Sequence, residues 1–173
     1  MRTILFGVFV LIAAGFGGLA AQSANDELDQ IRAYVPISEN LATSGQITVD
    51  QIEDIKAAGF EVIVNLATAR REQNGEEAFA VAEAGLTYIN IPVVWEEPTM
   101  RDLDMFFSVM RANEDRKVFV HCIANMRASA FAYLYRTQEL NIDPVEAKKA
   151  MDAVWDPNTQ EQWAEFIQRA LER

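Results

Sequence analysis

A single cysteine, Cys122, leaves this chain unable to close an intramolecular disulfide, so its fold must stand on its core alone. Histidine is equally scarce: the only one, His121, is the neighbour of that cysteine. Basic residues are few, 15 Lys and Arg against 26 Asp and Glu, for a formal charge of −11. So acidic a surface argues against nucleic acid or anionic lipid as partner, and any anionic ligand must be attracted locally, against the overall field. Long apolar runs are also rare. One extends from Ile4 to Phe16 behind Arg2, and is followed by small residues with cleavage options at Gly18-Leu19-Ala20 and Ala21-Gln22-Ser23. That is the build of a secretory signal peptide over residues 1–22. A retained anchor is the competing reading, because Thr3 to Ala21 approaches the length of a membrane span; the glycines and small residues at its distal end favour cleavage. In both cases the remainder is expected outside the cytoplasm, exported to the periplasm or secreted. No later stretch is apolar enough for stable membrane insertion once the leader is gone. Residues 25–173 are then one domain of ordinary size.

Along that domain, short apolar runs alternate with amphipathic ones. A short, acidic and then amphipathic lead-in helix is expected over Asn25–Ala33, an interrupted strand over Val35–Ala42 and a turn at Ser44-Gly45-Gln46. Thr48, with Gln51 three residues on, predicts a capping box for a helix ending at Gly59. Glu61–Leu66 reads as a buried strand, Ala67–Gly75 as a loop carrying Arg70 and Arg71, and Glu76–Ala84 as a helix. A strand over Leu86–Val94, the loop Trp95–Pro98 and a Thr99-capped helix with Leu103, Phe106, Phe107 and Met110 inward come next. Lys117–Val120 is a very apolar strand with His121-Cys122 at its carboxyl end, and a helix is expected from Arg127 to Leu140. Asp143-Pro144 and Asp156-Pro157 each predict a capped helix start. Trp155, Trp163 and Phe166 read as core packing. The alternation implies an α/β fold, a mostly parallel central sheet flanked by helices. Ligands then sit outside the carboxyl ends of the strands.

At one such end stands Val118-Phe-Val-His-Cys-Ile-Ala-Asn-Met-Arg-Ala-Ser129. The amides of Ile123, Ala124, Asn125, Met126 and Arg127, with the N-terminus of the helix behind them, are placed to converge on an anion. A thiol at the mouth of such a cradle feels the helix dipole and the Arg127 guanidinium, and both favour thiolate over thiol. Arg127 offers two parallel hydrogen bonds to an oxyanion. The pairing suits covalent transfer of a group such as phosphoryl. His121 is expected to turn away from the thiol and brace the loop.

This stretch resembles the signature of the cysteine-dependent protein tyrosine and dual-specificity phosphatases. The wider chain is similar to a bacterial branch of them, related to the domain fused to some β-lactamase-like hydrolases, at Leu41–Gln46, Ala58–Phe60, Val62–Leu66 and Ala84–Val93. The resemblance implies a three-layer phosphatase architecture with no cofactor and no metal. It implies Cys122 as nucleophile, Arg127 and the loop amides as phosphate binders, and a general acid from another loop, for which Glu96 and Glu97 are candidates and Asp102 a third. The chain departs from the pattern in three places. Four residues, not five, separate Cys122 from Arg127; Asn125 stands where glycine is usual; and Ala128 replaces the hydroxyl after the arginine, leaving Ser129 to supply one in a shifted register. Asparagine tolerates φ > 0, so it can replace the glycine.

Three functions are compatible with these residues. The first is an exported phosphatase acting on a phosphomonoester through a phosphocysteine intermediate. The second is a non-catalytic pseudophosphatase that binds an anion or a protein partner. The third is a rhodanese-like sulfurtransferase, which shares the spacing of a cysteine, four residues and a basic residue. The substrate is expected to be small and anionic or phosphorylated; a protein partner is not identified by the sequence.

Overall fold

The computed structural model describes residues 26–173. The expected leader over 1–22 lies outside the described residues. Five strands form one sheet in the order β1 (Val35–Ser38), β2 (Leu41–Ser44), β5 (Val118–His121), β3 (Val62–Asn65), β4 (Thr87–Asn90). Only β1 runs antiparallel; the other pairings are parallel. The mostly parallel α/β sheet expected from the alternation is therefore present. Among the described residues from β1 onward, seven α-helices accompany it: α1 (Gln51–Ala57), α2 (Arg71–Asn74), α3 (Glu77–Glu83), α4 (Met100–Arg111), α5 (Met126–Gln138), α6 (Pro144–Asp152) and α7 (Glu161–Leu171). Among the described residues no helix is long and apolar enough to cross a membrane.

The period of two along the strands sorts the core into two layers. Val62 and Val64 of β3, with Val118 and Val120 of β5, face a cluster built by Phe106, Phe131, Trp163 and Phe166 from α4, α5 and α7. Ile63 and Phe119, the residues between, face the opposite cluster with Leu28, Ile52, Ile55 and Val81. Both faces of the central strands are thus buried, which is why β3 and β5 are apolar up to their last residues, Asn65 and His121, and do not alternate.

Local chemistry explains the boundaries. Thr99 caps α4 through its side chain, and Asp102 answers in a reciprocal capping box. Asp143 caps α6 by accepting from the amides of Val145 and Glu146, with Pro144 at the first helical position. Gly59 closes α1 at φ +89°, a left-handed turn that a side chain would resist.

Several boundaries differ from the sequence reading. Val35–Ala42 is not one interrupted strand but the first strand and the start of the second in an antiparallel hairpin. Ser44 belongs to β2, and Gly45 continues past it to bridge Ala124, so Ser44–Gln46 is no turn. Of the box at Thr48 only half forms, Gln51 Oε1 accepting from the Thr48 amide, and Asp50 takes the cap position without a side-chain bond. The loop after β3 contains the short α2. The fourth strand stops at Asn90, because the chain bends off to reach Val93 and Trp95. Asp156 caps only a 3₁₀ turn, Pro157–Thr159, and α7 begins afterwards without a side-chain cap.

Phe131 touches the rings of Phe106, Trp163 and Phe166 and is fully buried. Phe131→Ala should cost about 3–5 kcal/mol, the usual range for emptying an aromatic site in a core. Urea denaturation followed by circular dichroism measures this, and a change under about 1 kcal/mol would contradict the packing described.

Candidate active site

The registers align Ser44, His121, Asn65 and Asn90 in a row across the carboxyl edge of the sheet. The loops that leave this edge build the site. Because side chains alternate along β5, His121 and Cys122 point to opposite faces. Cys122 continues the parity of Val118 and Val120, sits on the α5 side and is 1% exposed. His121 follows Phe119 to the other side, where its Nε2 lies 2.8 Å from Glu77 Oε1. His121 thus faces away from the thiol, and its partner is a carboxylate.

Glu77 is the residue that sequence reasoning missed. It is buried, and its oxygens also receive Asn65 Nδ2 at 3.1 Å and Gln46 Nε2 at 2.5 Å. Asn65 Nδ2 reaches the Tyr88 hydroxyl as well, at 3.0 Å, while its Oδ1 accepts from the Ala67 amide. Burial first, and the Glu77 charge second, push the Tyr88 phenol up to about 12. One signal in the sequence pointed this way: Glu77 lies four residues before Val81, on the buried stripe of α3. An acid on an apolar stripe requires partners.

The loop after β5 is short and held. The Cys122 amide donates to the Ser44 carbonyl, and the Ile123 carbonyl accepts from Gln46 N. Gly45 comes so close to the chain before β1 that its amide donates to Arg32 O at 2.7 Å, and a Cβ there would lie 3.0 Å from that same oxygen. Asn125 adopts the left-handed conformation, φ 63°, in the place where the family pattern has glycine. Its side chain fixes the turn by donating to Ala33 O at 2.7 Å and Thr43 Oγ1 at 3.1 Å. Helix α5 then starts at Met126, one residue earlier than Arg127. Among the described residues, the amides of Ile123, Ala124, Met126, Arg127 and Ala128 donate to no protein acceptor. That row of unused N–H groups at a helix start is what an anion cradle requires.

Arg127 is buried, and its Nη1 donates to the carbonyls of Val93 at 2.8 Å and Leu66 at 3.4 Å. The side chain is thereby fixed across the ends of two strands. Its other nitrogens meet no protein acceptor among the described residues. Ser129 does not serve Cys122. Its hydroxyl donates to Met126 O and accepts from Trp155 Nε1 at 3.2 Å, because the helical register turns it toward the α7 side. Glu96 and Glu97 stand exposed on the loop after Trp95. Trp95 anchors that loop by packing on Trp155 and Trp163 and by accepting from Trp163 Nε1 at 3.0 Å. Asp102, the third candidate acid, is spent on capping Thr99. Arg70 and Arg71 sit beyond β3, lining a cleft beside this site.

A family model described as DSP-PTPase phosphatase fused to NAD+ kinase matches residues 22–168. The chain belongs to this family. A DUF442 protein of Shewanella putrefaciens CN-32 is 33% identical and superposes with a TM-score of 0.75, over 84% of this chain and 95% of that one. TpbA of Pseudomonas aeruginosa has the same fold at 14% identity, with a TM-score of 0.66 over 82% of this chain and 86% of its own. A β-lactamase hydrolase-like protein of Xylella fastidiosa strain Temecula1 is 34% identical over 98 residues, 54% of this chain. The match spans only 22% of that longer relative. The resemblance to protein tyrosine and dual-specificity phosphatases, and to the branch linked to β-lactamase-like hydrolases, is thus confirmed at the level of family and fold.

Two outcomes test this geometry. Glu77→Ala strands several buried donors and should destabilise the protein by about 3–5 kcal/mol in chemical denaturation, as expected for breaking a buried charged network. In Glu77→Gln the Tyr88 titration, followed by ¹³C NMR of the phenol carbon, should fall from about 12 toward the ordinary phenol value, because the negative neighbour is gone. An unmoved midpoint would mean that no carboxylate charge faces the phenol.

Proposed function

We propose that this chain is an exported phosphatase that hydrolyses a phosphomonoester through a phosphocysteine intermediate. The observation that supports the reading is the turn from Cys122 to Arg127, which offers unused amides and a guanidinium anchored on backbone carbonyls. The Cys122 thiolate attacks phosphorus; the S–P bond forms as the bond to the leaving oxygen breaks. The amides of Ile123, Ala124, Asn125, Met126 and Arg127, with the free face of the Arg127 guanidinium, hold the three phosphoryl oxygens as charge builds on them. Glu96 or Glu97 gives its proton to the leaving oxygen. Water, giving a proton back to the same carboxylate, then cleaves the S–P bond; inorganic phosphate departs, and the thiolate and the carboxylic acid are restored. Ile123, Ala124 and Met126 are half-buried and form a mostly apolar rim.

A second reading, an anion-binding pseudophosphatase, draws support from two facts. Cys122 is 1% exposed, and the Ser129 hydroxyl is engaged by Trp155, so it is withheld from the sulfur. Steady-state hydrolysis of p-nitrophenyl phosphate by the mature protein separates the readings. Cys122→Ser and Arg127→Ala should each lower kcat/KM by about 10³-fold or more, the scale expected when a covalent nucleophile or an oxyanion clamp is lost. Unchanged turnover in Cys122→Ser would remove the phosphocysteine step. Thiocyanate formed from thiosulfate and cyanide would instead favour the sulfurtransferase. Export is checked by mass spectrometry of the N-terminus: cleavage near residue 22 is expected, and an intact Met1 in cytoplasmic extract would refute it.

A further inference from the structure

Beyond β3, and separate from the cradle itself, an open cleft of about 600 Å³ is lined by Arg70, Arg71, Asn74, Glu76, Tyr88 and Asn90. Its two guanidiniums are exposed in a chain of net charge −11. Even so, neither comes within salt-bridge distance of a carboxylate among the described residues. Glu76 is the one carboxylate on the lining. The buried Glu77 beneath is turned inward onto His121 and Gln46.

The backbone that carries the arginines is pinned. Asn74 accepts from the Arg70 amide at 2.7 Å and donates to Thr68 O at 3.3 Å. Asn90 donates to the carbonyls of Asn65 and Ala67, at 2.8 and 3.0 Å. Between those two residues lies Leu66, whose carbonyl accepts from Arg127. The floor of the cleft and the clamp of the cradle therefore share one short stretch of chain, Asn65–Ala67. Along the sheet edge the end of β5, which carries the cradle, is next to the end of β3, which carries the cleft.

We propose that the Arg70–Arg71 cleft receives a second anionic group of the same ligand, a phosphate or carboxylate, so that the site selects doubly anionic molecules over simple monoesters. The inference rests on the cradle reading for the first group and on the unpaired guanidiniums for the second. Two arginines on a fixed backbone attract such a group locally, as the acidic surroundings require.

The test uses the full domain with Cys122→Ser, labelled with ¹⁵N, and compares fructose 1,6-bisphosphate with methyl phosphate as probes. The bisphosphate should shift the amides of Gly75 and Asn90 as well as those of Ile123–Arg127. It should also bind at least about tenfold more tightly than methyl phosphate, the scale of one charge-assisted hydrogen bond. R70A/R71A should remove the cleft shifts and bring the two affinities to within about twofold, while R70K/R71K, which keeps the charge, should hold part of the preference. Silent cleft amides, or a bisphosphate affinity unchanged in R70A/R71A, overturn the inference and leave the cradle reading standing. Moving cleft amides with a silent cradle overturn the phosphatase reading and leave the cleft as an anion site. No shift anywhere overturns both.

Discussion

A carboxylate as deeply buried as that of Glu77 survives in a protein interior only while its oxygens are surrounded by donors. Here the donors come from Gln46 after β2, Asn65 on β3 and His121 on β5, so one charge ties together three neighbouring ends of the sheet. Gln46 also holds Ile123 through its backbone amide. The position of the cysteine loop is thus set from below, by a network that never touches the sulfur. His121 keeps its Nδ1 free of any protein partner among the described residues, and its Nε2 is the nitrogen that faces the Glu77 carboxylate.

The strand's alternation divides the work between two layers. His121 belongs to the layer of α3, which anchors; Cys122 belongs to the layer of α5, which presents amides and a helix N-terminus. Neighbours in sequence, they share no face. Arg127 completes the second layer by binding backbone carbonyls rather than an acid, so its positive charge is not neutralised by a partner side chain. A guanidinium held in this way is fixed without being quenched.

Much of this was legible from residue types. The strand ending in His121-Cys122, the Thr99 cap with its four inward apolar residues and the Asp143-Pro144 helix start all follow from local rules that tertiary contacts did not override. The left-handed Asn125 was readable too, since few residues tolerate that conformation. What escaped depended on long-range pairing. Whether Val35–Ala42 forms one strand or most of a hairpin is decided by pairing across Glu39-Asn40, and the sequence there lacks a strong turn signal. Asp156-Pro157 looks like Asp143-Pro144, yet only the second leads into a full helix, because the chain after Pro157 must turn to seat Trp163. The direction of Ser129 depended on where Trp155 would lie, 26 residues away. Glu77 could be found only by asking why an acid sits on an apolar stripe.

All three tryptophans of the chain, Trp95, Trp155 and Trp163, meet in one cluster with ring centroids 5.2 to 5.9 Å apart. Intrinsic fluorescence from this protein therefore reports on a single spot, where the loop bearing Glu96 and Glu97 leans on the C-terminal helices. An emission change on adding a ligand would be a movement of that loop or of its support. Rearrangements confined to the opposite layer would pass unseen.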